Sequence, residues 1–246
     1  MADGSVAGIA LLLALMPSSG TPQPQQPIGQ GAQCRVPAAL PAPRMERPRT
    51  PSDVRRMPIG GYTLALSWSP NYCAGRNRGG GTQCDGSAGR FGFILHGLWP
   101  EGKGGRGWPQ YCAPATILPK AVLAAQFCTM PSVQLMQHEW AKHGTCMARR
   151  PEEYFSRGRS LYQQVRFPDM AELARQKNLT AGTLARAFSA HNRGMGMETI
   201  RVRTDKAGYL SEMWVCLDTA FQPTRCPAGK SGAALSSPIR IRLPAS

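Results

Sequence analysis

The most regular patterning in the chain starts at Tyr62, where Tyr62, Leu64, Leu66 and Trp68 alternate with Thr63, Ala65, Ser67 and Ser69. A period of two sends successive side chains to opposite faces, so this run predicts a half-buried strand. Phe91, Phe93 and Leu95 repeat the pattern, and His96 follows at the expected end of that strand, before Gly97 as a turn residue. Between the two runs, NYCAGRNRGGGTQCDGSAG reads as a glycine-rich loop with Cys73 and Cys84 placed to close it. Helical spacing predicts helices over 132–143, 152–167, 169–177 and 183–191, the first opening after Pro131 with Ser132 as N-cap. Strand patterning returns over 198–204, 210–217 and 239–243. Strands, then a block of helices, then strands without strict alternation predict an α+β fold rather than a doubly wound sheet.

Upstream of Tyr62 the pattern changes twice. The apolar run Ala7 to Met16 has about half of the roughly 20 residues needed to span a bilayer, and small and turn-forming residues follow it. Residues 1–20 are therefore expected to be a secretory signal peptide, atypical in carrying Asp3 where a basic residue is usual. From Pro17 to Gly60 the chain holds ten of its 22 prolines and no periodicity, so residues 21–60 are expected to be a linker or tail ahead of a folded domain over 61–246. Arg35, Arg44, Arg47, Arg49, Arg55 and Arg56 face only Glu46 and Asp53 in it, which suits either a basic arm for RNA or a solvated spacer. Cys34 is expected to staple one point of this tail to the globule.

Composition narrows the class. Over 246 residues, 42% are apolar and 17% charged, which excludes a chain held open by charge repulsion. The formal net charge of +15 favours a polyanionic partner but leaves nucleic acid, acidic polysaccharide and membrane surface open. Arg76, Arg78, Lys103, Arg106, Arg149 and Arg150 spread part of that charge over the globule, where it would steer substrate. Eight cysteines, none in C-x-x-C spacing, argue for four disulfides in an oxidising compartment, so the protein is expected to be secreted or periplasmic, without a membrane anchor once mature. Spacing alone leaves their pairing open.

Three of the four histidines fall in two short segments, FGFILHGLWPEG (91–102) and QHEWAKHGTC (137–146). The second resembles the zinc-protease pattern H-E-x-x-H but is one residue too long. At about 100° per residue, His138 and His143 stand roughly 140° apart on a helix and cannot readily share a metal ion. The same wheel gathers His138, Lys142, Glu139 and His143 on one face and leaves Met136 and Trp140 to pack inward. Two imidazoles facing a cation suit cleavage of a phosphodiester that carries its own nucleophile, the ribose 2′-hydroxyl of RNA. One imidazole accepts the hydroxyl proton, the other protonates the leaving 5′-oxygen, and Lys142 with a protonated His138 stabilises the added charge. That chemistry requires no metal and no cofactor.

The two segments together resemble the active-site segments of the ribonuclease T2 family of secreted acid endoribonucleases. LALSWSPNYC (64–73), PEEYF (151–155), LSEMWVCL (210–217) and the later RCP (225–227) extend the resemblance to roughly 62–227. It implies a disulfide-stabilised α+β fold with a mainly antiparallel central sheet flanked by helices. It also implies that the protein is a cyclising endoribonuclease of low base specificity, acting on single-stranded RNA through 2′,3′-cyclic phosphates, as a monomer. By the same resemblance His96 is the acid, His143 the base, His138 a phosphate-binding histidine, and Glu139 and Lys142 the pair that polarises phosphate and stabilises the pentacoordinate state. Trp99 is a base-stacking or cleft-supporting aromatic. The implied disulfides are Cys112–Cys146, Cys73–Cys84 and Cys216–Cys226, which leaves Cys34 with Cys128. The alternative of a different class is an exported RNA-binding or signalling protein on the same scaffold with incidental catalysis.

Overall fold

The computed structural model describes Met1 and residues 34–75, 81–105 and 107–244. The expected signal peptide beyond Met1, the first part of the 21–60 segment, Arg76, Arg78 and Arg106 lie outside the described residues. In chain order the main elements are β1 (Ile59–Trp68), α1 (Ser69–Ala74), β2 (Phe93–Gly102), α2 (Lys120–Gln126), α3 (Val133–Lys142), α4 (Pro151–Gln164), α5 (Met170–Ala174), α6 (Ala181–His191), β3 (Ile200–Thr204) and β4 (Leu210–Leu217). The four strands form one antiparallel sheet in the order β2-β1-β4-β3. The fold is α+β, as the order of patterns predicts.

The helices start where the chain supplies caps. The Ser132 hydroxyl accepts the Leu135 N–H at the head of α3, the Asp169 carboxylate accepts the Ala171 and Glu172 N–H groups at α5, and the Thr180 hydroxyl accepts the Thr183 N–H at α6. Each such cap contributes about 1 kcal/mol. Helix α4 opens on Pro151 followed by Glu152 and Glu153, a pre-set backbone and two charges that suit the positive helix end.

One face of the sheet builds the core. Leu64, Leu66 and Trp68 of β1 and Phe93, Leu95 and Leu98 of β2 are buried beneath the helices, with α4 on β1 and β2 and α6 on β3. Phe93 stacks on Phe167, meets Phe188 edge-on and receives a 2.7 Å hydrogen bond from the Tyr162 hydroxyl on its carbonyl. The other face carries Thr63, Ser67, Glu212 and Trp214, and α3 lies beside β2 next to it.

The structure departs from the pattern at four places. β2 does not turn at Gly97 but runs on to Gly102. Its ladder with β1 shifts register instead: Leu66 pairs with Leu95 and Ala65 with Gly97, so His96 is the extra residue of a β-bulge. The 239–243 segment forms no named strand, because Pro238 lacks an N–H and the chain splits its pairing between Thr180 and Tyr209. The short helices α1 and α2 lack enough turns for a periodic signal. Finally, β1 begins at Ile59, and residues 34–58, expected within a linker, lie along the globule. Cys34 is bonded to Cys128, Arg35 N–H donates to Ala88, Arg44 exchanges hydrogen bonds with Gln134, and Arg55 and Gln110 pair backbone to backbone. The prolines that erase periodicity also restrict the unfolded chain, which lowers the cost of docking a segment without regular structure.

Candidate active site

The bulge at His96 creates the site. In a regular strand His96 and Trp99, three residues apart, would point to opposite faces. With the extra residue, Leu95 and Leu98 both enter the core while His96 and Trp99 share the other face, their ring centroids 5.1 Å apart. Helix α3 completes the arrangement from the side. Glu139 is 1% exposed, its Oε2 accepting the Trp99 Nε1–H at 2.8 Å and its Oε1 lying 3.7 Å from His96 Nε2. The helical wheel leaves Glu139 on an open ionisable face; in the structure it is buried, satisfied by Trp99 and by the Tyr154 hydroxyl at 3.5 Å. Such depth is possible because residue 97 is glycine: a Cβ there would stand 1.9 Å from Glu139 Oε2.

His143 is not in the helix but caps its C-terminus, 5% exposed, with its ring centroid 5.7 Å from that of Trp99. Its Nδ1 is buried and meets no hydrogen-bond partner among the described residues. His138 keeps 34% of its side chain exposed and places Nδ1 3.2 Å from Glu46 Oε1. Lys142, at the end of α3, lines the same cleft as His143. Of the six residues singled out from sequence, His96, Glu139 and His143 gather around Trp99 and Lys142 shares a cleft with His143, while His138 turns to Glu46.

The electrostatics separate the histidines. Burial disfavours the His96 imidazolium, but the hydrogen bond to Glu212 and the charges of Glu139 and Glu212 outweigh it and raise the pKa above the usual 6.5. Burial, reinforced by the charges of Lys142, His138, His96 and Arg55, holds His143 well below that value. Burial also raises Glu139, against the opposing pull of His96, His138, the Trp99 hydrogen bond and Lys142.

A cleft of about 640 Å³ opens beside Trp99, Lys142 and His143, lined also by Trp108, Trp214 and Lys230 among others, whereas His96 lines a separate cavity of about 270 Å³ with Ser67, Leu135 and Glu212 among others. Lys230 pairs with Glu101, and its ammonium lies 5.3 Å from the Trp214 ring centroid. Behind the cleft wall, the Arg55 guanidinium stacks 4.4 Å over the ring of Trp108.

The profile of the Ribonuclease T2 family matches residues 59–226. The chain belongs to that family. Among similar proteins, it is 28% identical over 182 residues to a probable ribonuclease of Haemophilus influenzae, covering 70% of this chain and 62% of that protein. It is 31% identical over 163 residues to a ribonuclease of Aeromonas hydrophila, covering 64% of this chain and 71% of that one. The chain thus spans less than two thirds of the Haemophilus protein. Among solved structures, the T2 fold is shared with RNase NT in complex with 5′-AMP (TM-score 0.57, 23% identity, 76% of this chain and all of that one). It is shared too with an RNase-related protein from Calystegia sepium (TM-score 0.60, 21% identity, 77% of this chain and all of that one). The structure contains four disulfides, Cys34–Cys128, Cys73–Cys84, Cys112–Cys146 and Cys216–Cys226. Cys112–Cys146 ties the loop before α2 to the 3-10 turn Gly144–Cys146 that follows α3.

Sequence reasoning missed Glu212, Glu46 and Arg55. Glu46, which also accepts the Tyr111 hydroxyl at 3.2 Å, left one trace, as one of two acidic residues in a mainly basic stretch. Glu212 left none beyond its place in a strand.

Proposed function

We propose that this T2 family member is a metal-independent endoribonuclease that cleaves single-stranded RNA by transphosphorylation. The observation that carries the reading is the pair of histidines flanking Trp99 and held toward opposite protonation states, His143 neutral and His96 protonated. His143 accepts the proton of the ribose 2′-hydroxyl, and the oxygen attacks phosphorus. The bond to the 5′-oxygen breaks as His96 delivers a proton to it, leaving a 2′,3′-cyclic phosphate and a free 5′-hydroxyl. Because the base is the more acidic imidazolium and the acid the less acidic one, the reactive pair of protonation states is also the dominant pair over a broad pH interval. Lys142 and His138 stabilise charge on the non-bridging oxygens, and Glu139, buried between His96 and Trp99, polarises the site.

The three tryptophans of the cleft supply ring faces for stacking, which tolerates any base and supports low base specificity. A set complete within one chain supports action as a monomer, and four disulfides support a secreted or periplasmic location. RNA cleavage in the presence of EDTA, with product analysis on a defined oligonucleotide, tests the reaction. A 2′,3′-cyclic phosphate terminus is expected, and RNA methylated at the 2′-oxygen should resist. Loss of activity on chelation, or cutting of the methylated strand, would overturn the mechanism.

A further inference from the structure

His96 has a partner on the side away from Glu139. Its Nδ1 lies 2.6 Å from Glu212 Oε1, on β4, well outside both histidine-bearing segments. The ladder explains the meeting. Ser67 of β1 pairs with Glu212 of β4, and the bulge in β2 swings His96 onto that same face. The carboxylate is held from other directions as well: the Ser67 hydroxyl donates to Oε1 at 2.9 Å and the Trp214 Nε1–H to Oε2 at 2.8 Å. Both oxygens are thus engaged, and Glu212 cannot swing aside without breaking two bonds besides the one to His96. His143 offers the contrast, with its Nδ1 buried and unpartnered among the described residues.

We propose that Glu212 is a positioning residue for RNA cleavage: by accepting the Nδ1–H of His96 it fixes the ring with Nε2 on the side of Glu139 and keeps that imidazole loaded with the proton the leaving oxygen receives. The proposal rests on the ribonuclease reading above and deepens it. A carboxylate on one ring nitrogen fixes the tautomer and favours the doubly protonated form. The fold thus gives two chemically identical side chains opposite tasks by giving a carboxylate to one Nδ1 and, among the described residues, no partner to the other. The charged and titratable groups around His96 are Glu212 from β4 and Glu139 and Lys142 from α3, with His143 at the end of α3; Glu139 and Glu212 favour its imidazolium and Lys142 opposes it. Ser67 and Trp99, from β1 and β2, are its neutral neighbours.

Glu212→Gln keeps the shape and an acceptor oxygen but removes the charge. With folding checked by near-ultraviolet circular dichroism, it should lower kcat on a short RNA about tenfold or more, within the ~10²–10⁴ that general acid catalysis contributes. KM should stay within about threefold, and the alkaline limb of the pH–rate profile should move to lower pH by about one unit, the shift expected when tenfold of charge stabilisation is lost. Glu212→Asp should restore part of both. The His96 ring, assigned by comparison with His96→Ala, should show the same downward shift in an NMR titration without substrate. A folded Glu212→Gln that keeps the wild-type kcat and alkaline limb overturns the proposal. So does one that loses kcat while the limb and the His96 titration stay put, since that is the mark of a structural role only. If the variant does not fold, the wild-type protein decides: His96 must titrate above its ordinary range with a strongly hydrogen-bonded Nδ1–H, and an ordinary titration overturns the proposal. A wild-type protein that does not cleave RNA would overturn the ribonuclease reading itself, an outcome read before any variant is made.

Discussion

Gly97 is where the geometry makes its hardest demand. In Gly97→Ala the new Cβ would stand 1.9 Å from Glu139 Oε2, 2.5 Å from Trp99 Nε1 and 2.7 Å from Glu139 Cδ. Ordinary contact begins near 3.4 Å, so the carboxylate must retreat by about 1.5 Å, enough to break its 2.8 Å hydrogen bond from Trp99. Losing a hydrogen bond to a buried charge costs about 1.5–3 kcal/mol. Overpacking adds about 1–3 kcal/mol, and the lower chain entropy of alanine offsets roughly 0.5–1 kcal/mol. The net expectation is a loss of about 2–5 kcal/mol, or roughly 10 °C in Tm for a domain of this size. Turnover should fall by about 100-fold, because the displaced carboxylate no longer sits beside His96. Urea unfolding followed by tryptophan fluorescence reads the first quantity and RNA cleavage the second. Shortening the acid in Gly97→Ala/Glu139→Asp should return at least about 1 kcal/mol relative to additivity. A single variant within about 0.5 kcal/mol of wild type, or a strictly additive double variant, would refute the reasoning.

Other expectations follow from the same contacts. Trp99→Phe removes the donor to Glu139 and should cost about 1–3 kcal/mol in chemical denaturation while pushing Glu139 further toward protonation. His143 has a folded pKa well below its unfolded value, so its contribution to stability is complete above pH 6.5 and is lost as pH falls below that point. Wild type minus His143→Asn in urea unfolding should therefore decline with acidification from about pH 6.5 downward, and a pH-independent difference would contradict the burial of a neutral imidazole. Replacing Cys112 and Cys146 together by serine opens a bridge of sequence separation 34 and should cost about 3–4 kcal/mol, with lowered turnover because α3 loses its tether. The pH–rate profile should be a broad bell, its acid limb set by His143 and its alkaline limb by His96. His143→Ala should abolish the acid limb together with most of the activity.

Much of this was legible in the chain alone, and for local reasons. Period-two alternation announced β1, and Ser132 announced the cap of α3, because strands and caps depend on residues a few positions apart. The two histidine-bearing segments were legible in the same way, since the chemistry needs those residue types close together. Tertiary structure decided what a side chain meets at long range. His96 and Trp99 share a face only because a bulge against β1 changes the parity of β2, and a bulge is a property of the pair of strands rather than of FILHGLW. Glu139 reads as surface on a helical wheel and is buried because Gly97 leaves room for it, 42 positions earlier. Glu212 comes to His96 across 116 residues, through the register of β4 on β1. Glu46 comes to His138 across 92, through a segment whose prolines leave no pattern to read. The residues that perform the proposed chemistry were therefore written locally, while Glu212, the carboxylate that accepts from His96 and raises its pKa, reaches it only once the sheet has formed.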